Sequence, residues 1–386
     1  MDLKLKNKNK DLVDKAKEIS TNILAPNADK YDSNAEFPRN NFDKLAEIGF
    51  TKLTLPIEDG GRDLYSDPTT YVTVFYELAK GCGSTAMTLH MHNSVLFSLM
   101  NLGTKEQIHR YKKFAREGKI FASHAAEITT NAQWNRDVST IISEKNKEFF
   151  LNGEKYFCTM AGEADFYVIW ALLENSKNTS EGLRFAVVDS KNEGFSIVRR
   201  WDAYAMRATS SHSMKYENVK LNEEDIVGKA GDVDRLDLVP KFALGYSAIY
   251  LGIGAAALDW TISYAKKRKL KPDNIPIASY PQIQRLLGKM NISHEAAKLM
   301  VLKAAWKLEK FNTEEAFLEI NEAKYAASKA SASITDNAIQ VLGGPSLFKK
   351  YPIQRFHRDA RAGLVMPPNS DRALISIAEF HLKGIK

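Results

Sequence analysis

The sequence predicts a mostly helical α+β protein with its strands confined to the middle: helices over residues 1–121, a β domain over 122–229 and a helical bundle over 230–386. Three observations carry this. Apolar residues recur at helical spacing through the first stretch. Short alternating segments rich in Val, Ile, Phe and Tyr fill the second, separated by Asn-Gly, Asp and Glu-Gly. After GKAGDVDRLDLVP the helical texture returns, dense in Ala and Gly, and holds to the end.

In FPRNNFDKLAEIGF the apolar positions Phe42, Leu45, Ala46 and Ile48 mark a helix that should stop near Gly49. The turn IEDGGRD follows. DPTTYVTVFYELAKGCGSTAMTLHMHNSVLFSLMNLG gives two helices too apolar for the surface, the first capped by Asp67 or Thr69 and closed around Gly81. The charged TKEQIHRYKKFAREGK reads as a helix exposed on one face. The β segments are KEFFLNGEKYFCT, DFYVIWALL, LRFAVVD, FSIVRRW and SMKYENVKL. No helix-length segment separates them to make parallel crossovers, so they predict an antiparallel barrel or sandwich. In FALGYSAIYLGIGAAALDWTISYAKKR, Ala and Gly let helices approach closely, and three further helical stretches follow.

A chain of 386 residues is long enough to be a full enzyme subunit. Its 44% hydrophobic and 26% charged residues are ordinary for a globular protein, and no apolar run reaches the ~18–20 residues of a membrane span. The N-terminus lacks the apolar core of a secretion signal, so a cytoplasmic location is expected. Cys82 and Cys158 form no CxxC pair and are expected to be reduced and packed, with no metal site. The net charge of +7 is spread out except for KKRKLK at 266–271. No exposed aromatics interleave with that cluster, which argues against nucleic acid; it reads as a solvated helix end or as a site for a phosphorylated ligand.

Five stretches in register resemble the acyl-CoA dehydrogenase family over essentially the whole chain. They are FPRNNFDKLAEIGFTKLTLPIEDGG, YELAKGCGSTAMTLHMHNS, LNGEKYFCTMAGEADFYVIWA, MRATSSHSMKYENVKL and IQVLGGPSLFKKYPIQRFHRDAR. The resemblance implies a helical domain, an antiparallel β-barrel domain and a C-terminal four-helix bundle, in a homotetramer or homodimer. It also implies FAD lying between the β domain and the bundle. Thr159 matches the hydroxyl residue at the flavin N5 edge, where a donor meets developing electron density, and Phe157 stands where the family has a Trp against the ring. Gln340, Gly343 and Gly344 match the segment that reaches the FAD adenosine diphosphate across a dimer interface. Paired glycines allow close backbone approach there, and they equally suit a helix C-cap. Arg268 lies near the family's arginine for the FAD pyrophosphate, without the usual RxxFGxxI continuation.

The chain departs from the family at three places. Where the family has TEPxAGSD, it reads HAAEITTNAQWNRD, which keeps Glu127 but loses the Pro, the Gly-Ser and the threonine, whose position is Ala126, so CoA binding is put in question; Ala125 is the cofactor-contact candidate of this loop. Pro281 replaces a common Gln and reads as the first residue of a helix. Aligned on Arg358-Asp359-Ala360, the catalytic Glu of RDAKIxxIYEGT falls at Pro367, with Met366 for the Tyr and Asn369 for the Thr. The alternative base position of some branches falls near Phe242, beside Ala243 and Leu244, none of which takes a proton. A thioester α-proton needs a positioned base, so MPPNSD reads as a wall beside the flavin, with Asn369 kept for the adenine contact.

The candidates for a relocated base are His124 and Glu127; His92 matches a structural family residue, and His90, His212 and His357 have no motif behind them. The resemblance therefore implies an FAD-dependent oxidoreductase that dehydrogenates an acyl-CoA and passes electrons to an electron-transfer flavoprotein. The alternative is a monooxygenase on the same fold, using FAD or FMN reduced by a separate flavin reductase. A flavin-binding protein without turnover is a third reading, which leaves the retained Thr159 unexplained.

Overall fold

The computed structural model describes residues 9–128, 138–236 and 238–382. Among the described residues, six α-helices build the N-terminal part: α1 (Lys10–Ile19), α2 (Ala25–Asn34), α3 (Arg39–Glu47), α4 (Pro68–Gly81), α5 (Gly83–Leu102) and α6 (Lys105–Arg116). Their ends follow local chemistry. Gly49, at φ 83°, takes the left-handed conformation that stops α3. Asp67, and not Thr69, caps α4 by accepting the Thr70 N–H at 3.3 Å and the Thr70 hydroxyl at 2.9 Å, with Pro68 opening the helix. Thr104 and Gln107 form a reciprocal capping box at the start of α6. Helix α5 is buried along nearly its whole length, as its composition predicts.

The central part holds β1 (Phe121–His124), β2 (Ile141–Lys145), β3 (Glu148–Cys158), β4 (Phe166–Leu173), the one-turn α7 (Thr179–Gly182), β5 (Leu183–Asp189), β6 (Phe195–Arg199), β7 (His212–Leu221) and β8 (Ile226–Val227). They form one eight-stranded sheet in the order β6-β7-β3-β2-β4-β5-β8, with β1 pairing β4 off that path. The central sheet domain is as expected, but its pairing is mixed rather than strictly antiparallel. Both β1 and β2 run parallel to β4, and among the described residues the path stays open between β6 and β8. Parallel pairing needs no helical crossover here, because the 11-residue strand β3 carries the chain back between β2 and β4.

The C-terminal part comprises α8 (Asp232–Leu236), α9 (Leu238–Lys267), a small ribbon of β9 (Lys269–Leu270) and β10 (Ile275–Pro276), then α10 (Pro281–Lys310), α11 (Thr313–Leu342), α12 (Ile353–Val365) and α13 (Ser370–His381). Pro281 opens α10, as read from the sequence. Helix α9 contains an 18-residue window apolar enough to cross a membrane, which the sequence reading did not expect, and 94% of that window is buried within the protein. It is the core helix, packed on α4 and α5 on one side and on α10, α11 and α12 on the other. Its glycines make this possible: a Cβ on Gly245 would lie 2.1 Å from the His90 ring, and one on Gly252 would lie 2.4 Å from the Tyr76 carbonyl oxygen.

Three parts of the chain meet at the RDAR sequence of α12. The Arg358 guanidinium spans both carboxylate oxygens of Asp32 on α2 and donates to the Tyr204 carbonyl at 2.9 Å. The neighbouring Asp359 accepts the Met206 N–H at 2.7 Å. Arg207, from the same β-domain loop, returns to the Asp32 carbonyl at 2.9 Å.

Candidate functional site

At the end of β3 the pairing with β7 slips between Lys155 and Cys158, and Phe157 and Met160 take positive φ values of 54° and 64°. A left-handed Phe is a strained choice that the surroundings must enforce. Its effect is to turn the Phe157 ring outward, 65% exposed and edge-on to Trp201 at 6.0 Å. Thr159 is tucked beneath, only 6% exposed, with its hydroxyl 3.1 Å from that of Ser211. Ser211 lies 2.7 Å from the Thr209 hydroxyl, which donates to the Met206 carbonyl at 2.9 Å. An exposed aromatic face beside a hydroxyl that is anchored from behind suits a flat, polar-edged ring.

His124 closes β1 within the β domain. It is fully buried, its Nδ1 is 2.7 Å from the Tyr216 hydroxyl, and its ring stacks on Tyr167. Burial pushes its pKa down to about 3, opposed by the Thr159 backbone beside it. Ala125 is half-buried, and its carbonyl accepts from Lys155 Nζ at 3.3 Å. Glu127 is buried against Lys155, 2.5 Å from its ammonium, and also accepts from the backbone and hydroxyls of Ser139 and Thr140. Burial alone would raise its pKa; the Lys155 ammonium and these donors hold it at about 2. Residues 129–137 of this departure from the family pattern lie outside the described residues.

The turn after α12 carries Pro367. Its carbonyls are gathered by Lys324 of α11, which donates to Gly363 at 2.8 Å, Met366 at 3.1 Å and Pro368 at 3.2 Å. The Tyr250 hydroxyl reaches the Met366 sulfur at 3.1 Å, and the Lys324 ammonium lies 5.7 Å from the Tyr250 ring centre. Lys324 is buried, and among the described residues it has no carboxylate partner; burial lowers its pKa to about 7. Asn369 caps α13, accepting the Arg372 N–H at 2.8 Å.

The remaining candidates lie at one end of the bundle. Arg268 is exposed and lines an open pocket of about 270 Å³ with Trp260, Ser263, Tyr264, Lys267 and Tyr351. Gln340, Gly343 and Gly344 are exposed at the end of α11, and a Cβ on either glycine would meet open space. Gly343 also closes α11, donating to the Ile339 carbonyl at 2.9 Å. A small cluster of Ala265, Ile277 and Val341 holds the two segments at the same end.

The other four candidate histidines have structural partners. His90 lies between the Tyr71 hydroxyl and the Phe242 carbonyl, and His92 between the Thr51 carbonyl and the Phe121 N–H. His212 accepts the Trp201 N–H, and His357 pairs with Asp336. Sequence reasoning passed over Ser211, Lys155 and Lys324. For the two lysines a signal existed: Lys155 shares the inward phase of Leu151 along β3, and Lys324 sits on the buried stripe of Ile320 and Ala327 along α11.

Comparison with known proteins agrees across the chain. Residues 6–118, 122–219 and 242–380 match the N-terminal, middle and C-terminal domains of acyl-CoA dehydrogenase. The 3-(aryl)acrylate reductase of Clostridium sporogenes is 33% identical over 95% of this chain and 97% of its own. The caffeyl-CoA reductase-Etf complex subunit CarC of Acetobacterium woodii is 30% identical over 95% of both. The fold matches that of butyryl-CoA dehydrogenase from Megasphaera elsdenii, with a TM-score of 0.91 at 24% identity over 99% of this chain and all of that one. Members of this family bind FAD and are flavin-dependent oxidoreductases. The chain belongs to the acyl-CoA dehydrogenase family.

Proposed function

We propose that the protein is an FAD-dependent oxidoreductase acting at the Cα–Cβ bond of an acyl compound, and that it works in the direction of reduction, on an α,β-unsaturated acyl group. The observation that carries this is the turn at Pro367, which the Lys324 ammonium gathers and which offers no carboxylate. Dehydrogenation requires a positioned base to remove a Cα proton that the acyl carbonyl acidifies only weakly, whereas reduction ends by protonating an enolate, which water can do. His124 and Glu127 do not fill the gap: the first is buried at a pKa of about 3, and the second is spent on Lys155. Two relatives of at least 30% identity, those from Clostridium sporogenes and Acetobacterium woodii, are reductases by name.

FAD, when bound, supplies two-electron transfer at Cβ. Phe157 would pack on its ring, Thr159 and Ala125 would meet its polar edge, and Asn369 would contribute from the cap of α13. Arg268 would meet the pyrophosphate, and Gln340, Gly343 and Gly344 the adenosine diphosphate of FAD held by a second copy, which makes the functional unit at least a dimer. An electron-transfer flavoprotein is the proposed electron source, as the name of the Acetobacterium relative suggests. The Met366–Pro368 wall excludes water from one side of the substrate, and the Lys324 ammonium keeps it in place.

The test is anaerobic. The FAD-loaded protein is chemically reduced and mixed with aryl-substituted acrylates and with their CoA thioesters, and the return of oxidised-flavin absorbance is followed. Reoxidation by either class supports the reading and distinguishes free acid from thioester. If neither class reoxidises the flavin, while oxygen and an aromatic substrate give a hydroxylated product, the monooxygenase reading replaces it; the missing carboxylate favours that reading too.

A further inference from the structure

Behind Thr159 stand two further hydroxyls in series with one carbonyl, and proton counting constrains all three. Each hydroxyl has one proton and two lone pairs. Thr159, Ser211 and Thr209 are linked at 3.1 and 2.7 Å, and the line ends 2.9 Å from the Met206 carbonyl. All three are buried, and Met206 itself is fixed through its N–H to Asp359. If Thr209 gives its proton to Met206, Ser211 must donate to Thr209 and Thr159 to Ser211. Thr159 then presents only lone pairs to whatever faces it. If instead Thr159 points its proton outward, Ser211 must donate to Thr159 and Thr209 to Ser211. The Met206 carbonyl tolerates this second order, because the Trp201 indole N–H at 3.0 Å and the Thr209 backbone N–H at 3.2 Å still supply both of its lone pairs. Mixed orders break a hydrogen bond in a buried site, so the three protons turn together.

We infer that Thr209 and Ser211 are positioning residues that let Thr159 act as donor to the oxidised flavin and as acceptor from the reduced flavin, through a collective reversal of the hydroxyl chain. This rests on the proposed placement of Thr159 at the flavin N5 edge, which bears a bare lone pair when oxidised and an N–H when reduced. The chain keeps every buried proton satisfied in both states, so it does not penalise reduction. Removing a deeper hydroxyl acts on one state only. In Ser211→Ala, Thr159 can still donate outward, but when it accepts from the reduced flavin its own proton has no acceptor. In Thr209→Val the stranded proton is that of Ser211. A buried donor left unmet costs more than a spare lone pair.

The test measures the midpoint potential of FAD in the holoprotein by dye-coupled potentiometry, together with FAD affinity. Ser211→Ala and Thr209→Val should each weaken the reduced form about tenfold relative to the oxidised one, a potential about 30 mV more negative for a two-electron couple. Thr209→Ser, which keeps the hydroxyl, should restore the wild-type value. Potentials that move by less than about 10 mV in both variants, or that move upward, overturn the chain. Thr159→Val separates this from the underlying reading: unchanged affinity and potential there mean that Thr159 does not face the flavin, whereas a changed Thr159→Val beside silent Ser211→Ala and Thr209→Val sinks only the chain.

Discussion

Glu127 illustrates how a residue kept from a family motif can be spent on structure. The sequence offered it as a base; the fold buries it with Lys155, where a charge without its partner cannot be tolerated. Glu127→Gln should cost about 3–5 kcal/mol of stability by stranding the ammonium, read as a lowered denaturant midpoint, and Lys155→Met added to it should recover most of the loss. The pH dependence has a definite sign. The folded pKa, about 2, lies below the ordinary 4.5, so the stabilisation is fully present above 4.5 and is lost as the pH falls through 2. An acid-unfolding midpoint unmoved by Glu127→Gln would contradict this. At this scale the juxtaposition of Phe157 and Thr159 follows from their closeness in the chain at the end of β3. The place of Ser211 does not, because the register slip between β3 and β7 brings it to Thr159 across 52 residues.

Among elements, helices announced themselves and pairings did not. Gly49 and Asp67 end or begin their helices by chemistry within a few residues. The order of the sheet depends on β3 pairing on the far side of β2 while β4 pairs parallel on its near side, and no local pattern encodes that. The Pro367 turn is a case of an element held from outside itself. Lys324, one helix away, does what a helix C-terminus normally asks of solvent or a glycine cap. Lys324→Met keeps much of the apolar stem but frees those carbonyls. It should speed amide hydrogen exchange in residues 364–370 at least several-fold while lowering global stability by only about 1–2 kcal/mol, since the ammonium's burial offsets much of its bonding. Unaltered exchange in that segment would show that the turn holds without its lysine.

For the whole molecule, the junction at Asp359 ties the β-domain loop to the bundle through a carboxylate that burial pushes from 3.8 up to about 6, against the pull of Arg355. A raised folded pKa favours the native state while the group is protonated. That contribution is complete below 3.8 and is lost as the pH rises through 6. Asparagine imitates the protonated side chain at all pH values, so the stability of the wild type relative to Asp359→Asn should fall by up to about 3 kcal/mol between pH 4 and 7 and stay level above. Equal pH profiles for the two proteins in urea unfolding would refute it. Helix α9 has a different consequence. Because it fills the space between α4 and α5 on one side and α11 on the other, the first and last thirds of the chain share a single interior. The divisions that composition draws are therefore not autonomous modules. A fragment ending at residue 121 would bare the face that α9 covers and should aggregate on expression, whereas the intact chain should melt its helical parts in one calorimetric transition.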